Sequence, residues 1–416
     1  MSILPASGIG DESIGFYNNA TSTSMRFRRG DGSNTEINRD PSSAGDRKKH
    51  TLAFWVKRCT PSDGSQVVLG AFASTYSDFA YFRSDDRFEY TLGNAYSVAT
   101  DMRFLDTTNW YHIVAHFDVA NSTTTDRLKF WVNGVEVDRS VLYGSYPANQ
   151  NYAFSNTVDQ TVGGLTHFGG YELDGYLCDL NFIDGSLVSH TAFGEFKNGI
   201  WIPIDIDTSA ITYGTNGFRM LFNGTDTDGP STSGSVNSNS VGASSVNSNH
   251  FHAYSTALAN HSALPDNPEN NFPLINVLIN SGLTFSEGSL KIVNSANSWK
   301  NTRSTFQIPK GKKIYAEFLN TTSYTVNNVT TFHITEPDRS LTASDGVTYR
   351  NNVLQWTTSI SATADYEFFY GLYASSGIAN FGQDSSFAGV LTAQNNADDN
   401  GIGDFYYSPP SGFLAL

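Results

Sequence analysis

Cysteine is almost missing from this chain: Cys59 and Cys178 are the two it has in 416 residues. Two are too few for the disulfide framework of a small secreted domain. A buried thiol behaves as a small hydrophobe, and the sequence leaves open whether these two pair. Positive charge is also short. Lys and Arg number 25 against 40 Asp and Glu, a net charge of −15. No basic face is available for phosphates, so no nucleic acid partner is expected. The plain consequence of the acidic excess is solubility. Long apolar runs are absent, and no membrane insertion is expected. The start, residues 1–10, lacks the basic residues and apolar stretch of a signal peptide, which predicts use without Sec export. Helical periodicity is missing too, apart from one short turn expected within Thr191 to Phe196.

What is present favours strands and turns. Aromatics reach 13%, with 29 Phe and 21 Tyr, and Gly is frequent at 36. The length predicts two domains. The clearest local signal is the segment Leu128 to Asp138. Asn133-Gly134 predicts a two-residue type I′ hairpin, since both central positions need φ > 0. The turn places Val132 opposite Val135 and Phe130 opposite Val137 on one face, and Lys129 opposite Asp138 on the other. Alternation puts Leu52, Phe54 and Val56 on one face of a strand, and Tyr111, Ile113, Ala115 and Phe117 on one face of another. Between two Asp-Gly turns, Tyr176, Cys178, Leu180 and Phe182 are expected to share a face. Several such strands with turn residues between them predict a sandwich.

The fold class is therefore all-β. Residues 1–24 read as an N-terminal arm, 25–222 as a jelly-roll sandwich, 223–271 as a Ser/Asn/Gly-rich linker or long loop, and 272–416 as a second β-sandwich. The stretch from Asp226 to Asn249 cannot bury enough apolar surface to repay its ordering entropy alone. Strand signals return at 290–293, 313–319, 353–357 and 366–373.

No catalytic set stands out, and the chain is read as a non-enzyme. A retaining glycosidase needs two carboxylates close together, which alternation along a strand can supply. Glu136 and Asp138 are the nearest match, on a hairpin flank and without a third acid. His112 and His116 share a strand face too far apart for one metal ion and read as packing residues. His250 and His252 lack a third ligand nearby. Asn396, Asp398, Asn400 and Asp404 alternate around Gly401 as in part of a calcium loop, but Tyr407 replaces the expected Glu. Calcium is the one cofactor this pattern allows, and a plain turn competes with it. Asp226-Thr-Asp-Gly229 is a weaker version. Tyr143, Tyr146, Tyr152 and Tyr171 fall in Gly/Ser/Asn-rich connections, where tyrosine can stack on sugars or contact proteins. Core or interface packing is the competing reading.

Four segments carry a resemblance. Phe54-Trp-Val56, Asn109-Trp-Tyr-His-Ile113, the hairpin Leu128 to Val137 and Leu173 to Asp179, in this order, resemble the laminin G-like, concanavalin A-like lectin/glucanase superfamily. Arg39 to Lys48, Phe182-Ile-Asp-Gly185, Phe193-Gly-Glu195 and Tyr213 to Phe218 resemble a laminin G-like version found in tailed phages, often followed by a SPRY-like domain. Asn270-Asn-Phe-Pro273, Tyr315-Ala-Glu317, Asn380-Phe-Gly382 and Pro409 to Phe413 are similar to that second module. The resemblance implies a virion protein of a tailed bacteriophage, made in the host cytoplasm. It would be a tail fibre or spike subunit, a homotrimer touching other virion proteins and a host-surface glycan or protein. A capsid decoration or head-fibre protein and a glycan depolymerase are the alternatives.

Overall fold

The computed structural model describes residues 16–29, 35–73, 77–165, 171–224, 242–253, 263–279, 282–309, 312–321, 328–335, 344–350, 353–360 and 367–416, with backbone only for 328–335, 344–350 and 353–360. Tyr17–Ala263 and Leu264–Leu416 form the bodies of two compact units. Both are β-structured, as the composition predicts. Most of the expected arm and of the Ser/Asn/Gly-rich stretch lies outside the described residues.

The first unit is an antiparallel sandwich. One sheet runs, in order, Val135–Val137, Leu128–Val132, Tyr111–Asp118, Lys49–Arg58, Gly175–Asp184 and Ser24–Phe27, with Phe218–Met220 also pairing to Gly175–Asp184. The facing sheet runs Arg139–Tyr143, Tyr96–Arg103, Arg87–Leu92, Ser77–Phe82, Gln66–Phe72, Asp159–Val162, Ile37–Arg39 and His252–Ala253. Between them lies one apolar core. Leu52, Phe54 and Val56 reach it from one strand, and Tyr111, Ile113, Ala115 and Phe117 from its neighbour, as alternation predicts. The Asn133-Gly134 turn has φ of 47° and 77° and sets Val132 against Val135 and Phe130 against Val137. Lys129 departs from expectation: its ammonium pairs with Asp126 at 3.1 Å and Glu136 at 4.0 Å, not with Asp138.

A second departure has a backbone cause. Leu177, Leu180 and Phe182 face the core, whereas Tyr176 and Cys178 do not belong to that cluster. The register against Lys49–Arg58 shifts between Cys178 and Asn181, and Asp179 takes φ 44°. A bulge of this kind adds a residue to one strand and turns the side chains beyond it to the other face. Asp179 is fixed there by Arg219, whose guanidinium donates to both carboxylate oxygens at 2.8 and 3.0 Å. Both cysteines are buried and they do not form a disulfide. Cys178 sits opposite Trp55, four residues from Cys59, or about 13 Å along a strand, beyond disulfide reach.

The segments around Arg39, Asp184 and Asn216 come together in space. The Arg39 guanidinium donates to Gln160 and to the Asn216 carbonyl at 2.7 Å. Asp184 accepts the amides of Asp46 and Asn216 at 2.8 and 2.9 Å. The Asn216 side chain donates to the carbonyls of Ser43 and Ser155. Three distant stretches thus satisfy one another's buried polar groups, which is a structural reason for their composition. Arg39 also lies over Phe218 and Phe251 at 5.3 and 5.1 Å. Phe251 is in the core, and His252–Ala253 pairs with Ile37–Arg39. Part of the 223–271 stretch therefore folds onto the first unit.

In the second unit one antiparallel sheet runs Thr284–Ser286, Lys291–Val293, Ser376–Asn380, Lys313–Asn320, Asn328–Thr335, Ser344–Arg350 and Val353–Ile360. A separate ribbon pairs Trp299–Arg303 with Phe369–Tyr373. Here too the motif residues converge. The buried Glu317 carboxylate accepts from the Tyr315 hydroxyl, the Asn380 amide and the backbone of Tyr406 and Tyr407, at 2.8–3.0 Å. Phe272, Tyr315, Phe405 and Ala415 pack beside it.

Candidate binding face

The two sheets of the first unit differ on their outer sides. Behind Lys49–Arg58 and its neighbours, Ala53, Val114 and Ile183 form a second cluster with Phe193, Ile206 and Tyr213. These last three come from the segment after the sheet, which includes the hairpin Gly194–Lys197 with Ile200–Pro203. The cover also explains the histidines. His112 is buried, and its Nδ1 accepts from the Trp201 indole at 3.1 Å. Burial pulls its pKa down to about 3, so it stays neutral. His116 meets the Val188 carbonyl at 2.7 Å and packs on Trp131. Both are packing residues, as expected.

Among the described residues the facing sheet has no such cover over its centre. Ala80 and Phe82, with Phe88, Tyr90 and Leu92, point into the core. The alternate residues Phe79, Tyr81, Glu89 and Thr91 therefore point outward. Register places Tyr81 beside Glu89 and Phe79 beside Thr91, and carries on to Ser97 and Ala99. A groove of about 530 Å³ opens here, lined by Val67, Phe72, Phe79, Tyr81, Leu165 and Tyr171 among others. Gly70 permits it: a Cβ there would lie 2.9 Å from both Leu165 and Thr161.

Tyr81 and Thr91 bring hydroxyls to the groove, and a buried polar network lies next to them. Glu89 is buried and salt-bridged to Arg83 at 2.6 Å. Its other oxygen accepts from Thr91 at 2.6 Å and from Ser97. Thr91 also reaches the Tyr81 hydroxyl at 3.5 Å. Burial, with the Glu89 charge, pushes the Tyr81 phenol up to about 12. It keeps its proton and can both donate and accept. Aromatic walls with a few fixed polar groups suit a ligand that has apolar faces and hydroxyl edges. Glu89 is held by Arg83, so the groove offers no pair of free carboxylates among the described residues.

The four tyrosines expected to bind sugar do not converge. Tyr171 lines the groove. Tyr143 is 65% exposed on the edge strand of the same sheet, paired with Ser97. Tyr146 packs against the core. Tyr152 is enclosed within it, with its hydroxyl donating to the Ala148 carbonyl at 3.0 Å, so it has no face for a sugar. Phe79, Tyr81 and Glu89 went unread in the sequence. Ser77 to Phe82 carries aromatics on both alternating faces, and that was the available signal.

The residues of the calcium-like pattern staple a turn. Asp398 accepts the amides of Ile402, Gly403 and Ala415. Asn396 donates to the carbonyls of Phe405 and Tyr406. Asn400 lies against the Asp398 carboxylate, and Asp404 accepts from the Ser385 amide. Among the described residues no group of three or more His, Cys, Asp or Glu is placed to hold a metal. Asp226-Thr-Asp-Gly229 lies outside the described residues. His250 accepts from the Ser244 amide, and His252 is in a strand. Glu136 is paired to Arg139 at 3.1 Å.

Two antiparallel sheets packed on one apolar core have the architecture of the concanavalin A-like class. Comparison with known proteins agrees on that class. Residues 29–191, within the first unit, match a laminin G family model described as the concanavalin A-like lectin/glucanases superfamily. No curated protein matches the chain. A heptameric SAP-like pentraxin from Limulus polyphemus is similar at 14% identity, over 42% of this chain and 81% of that one, with TM-score 0.32. Domains LG4-5 of the mouse laminin α1 chain give 8% identity, 91% and 84% coverage, and TM-score 0.30. Tailspike protein 2 of Escherichia coli O157:H7 bacteriophage CAB120 gives 11% identity, 41% and 26% coverage, and TM-score 0.25. At these values the structural likenesses carry no argument about function.

Proposed function

We propose that this chain is a binding protein without catalytic activity: a subunit of a tailed-phage appendage, a tail fibre or spike. It holds a host-surface glycan in the groove on the outer face of the second sheet. One observation carries the binding reading: among the described residues the sandwich covers one outer face with a folded segment and leaves the other open, with aromatic walls beside the Tyr81 and Thr91 hydroxyls. The phage assignment is supported by the resemblance of the motif segments. So are the SPRY-like reading of the second unit, the virion location, the homotrimer and contacts with other virion proteins.

The test has two parts. Antibody labelling of particles should decorate the tail; labelling of the head alone would favour a capsid decoration protein. Binding of the purified chain to host surface polysaccharide should weaken about tenfold in Tyr171→Ala, the loss of one aromatic contact worth about 1.4 kcal/mol. Unchanged binding would remove the groove from the account. Release of reducing ends that disappears in Glu89→Gln would replace binding with depolymerisation.

A further inference from the structure

We infer that the ribbon of the second unit is a separate site for a neutral polysaccharide, centred on Trp299, Phe369 and Tyr373. Two-stranded ribbons bury one face and wet the other, and this one does so cleanly. Thr302, Tyr370 and Leu372 are buried, while Trp299, Asn301, Arg303, Phe369, Gly371 and Tyr373 alternate on the exposed side. That side should carry polar residues. Instead it carries the largest exposed aromatic group among the described residues: Trp299 at 73%, Phe369 at 63% and Tyr373 at 47%.

The three rings form one patch. Register sets Trp299 against Tyr373 and Arg303 against Phe369, with Gly371 between. The Trp299 and Tyr373 centroids are 5.7 Å apart at 57°. Ring atoms of both Trp299 and Phe369 lie within 3.9 Å of where a Cβ of Gly371 would stand, so the two rings meet above that bare backbone. Contiguous exposed apolar surface of this kind marks an interaction site.

Charge selects the occupant. Arg303 is paired with Glu367 at 2.5 Å, which leaves the patch without net charge. The chain as a whole is at −15, which repels anionic polymers. A neutral pyranose chain offers apolar ring faces for Trp299 and Phe369. Its hydroxyls can reach Asn301 and the Arg303–Glu367 pair at the edge.

The test uses the full chain carrying Phe79→Ala and Tyr171→Ala, so that the groove of the first unit does not contribute. It is run by native electrophoresis through gels containing mannan, dextran, a mixed-linkage β-glucan or alginate. Retardation is expected in at least one neutral gel and not in alginate. Adding Trp299→Ala should weaken it at least ~10-fold, and Trp299→Tyr should restore it to within ~3-fold. Trp299 is mostly exposed, so its removal leaves the core intact. Free migration of the groove variant in every neutral gel overturns the proposal, as does retardation that survives Trp299→Ala or occurs only in alginate. An oligomer that dissociates on Trp299→Ala also overturns it, because a second copy of the chain would then occupy the patch.

Discussion

Acid should loosen the first unit through His50, and the size of the effect follows from its surroundings. The ring is fully buried, with Phe117, Phe182, Phe154 and Tyr90 at centroid distances of 4.6, 4.9, 5.2 and 5.9 Å. Its Nε2 meets the Tyr90 hydroxyl at 3.4 Å, and its Nδ1 has no hydrogen-bond partner. Burial, then the nearby His116, pulls its pKa from 6.5 to about 3. A folded pKa below the unfolded value means the unfolded chain binds the extra proton. The contribution is complete above pH 6.5 and is lost as pH falls toward 3. At about 1.4 kcal/mol per unit, the loss at pH 4.5 is about 3 kcal/mol. His50→Leu fills similar space and removes the titration. The assay is urea unfolding at pH 8 and pH 4.5, with hydrogen exchange of core amides separating the two units. The fall in first-unit stability between these pH values should shrink by about 3 kcal/mol in the variant. An identical fall in both proteins refutes the reasoning.

Four further outcomes are expected. Burial pushes Glu317 up to about 7, against the pull of its donors; the folded state then holds the extra proton, so the second unit loses about 3 kcal/mol between pH 4.5 and pH 7. Glu317→Gln should flatten that dependence in the same unfolding assay. Gly134→Ala should cost at least about 2 kcal/mol by urea midpoint, because the Cβ would lie 2.2 Å from the Trp201 ring at φ 77°. Asp86→Ala should cost about 3–5 kcal/mol in first-unit stability, since it leaves the buried Arg58 guanidinium, 2.9 Å away, without its countercharge. Thr91→Val removes a hydroxyl that lines the groove and donates to Glu89 and should lower glycan affinity two- to tenfold by calorimetry, about 0.5–1.5 kcal/mol.

Local chemistry made much of the fold legible. Asn133-Gly134 announced its turn and register because few residue pairs accept two positive φ values. Leu52 to Val56 and Tyr111 to Phe117 announced their core faces through period-two alternation. The bulge at Asp179 was not legible, because it rests on Arg219, which is 40 residues away in the chain. It moved Tyr176 and Cys178 to the other face. The groove was harder still. Its walls come from separate strands, and Tyr81 becomes a surface residue only once Gly194 to Pro203 is seen covering the opposite sheet and not this one. Tyr152 sits in a loop-like sequence but belongs to the core, because its ring packs on Phe117 at 5.5 Å.

The most direct test of the account is hydrogen exchange on the full chain with and without host surface polysaccharide. The account predicts protection across Ser77–Phe82 and Arg87–Leu92, next to Tyr171. Protection confined to the covered side, at Gly194–Lys197 and Val135–Val137, with those two strands unchanged, would contradict it.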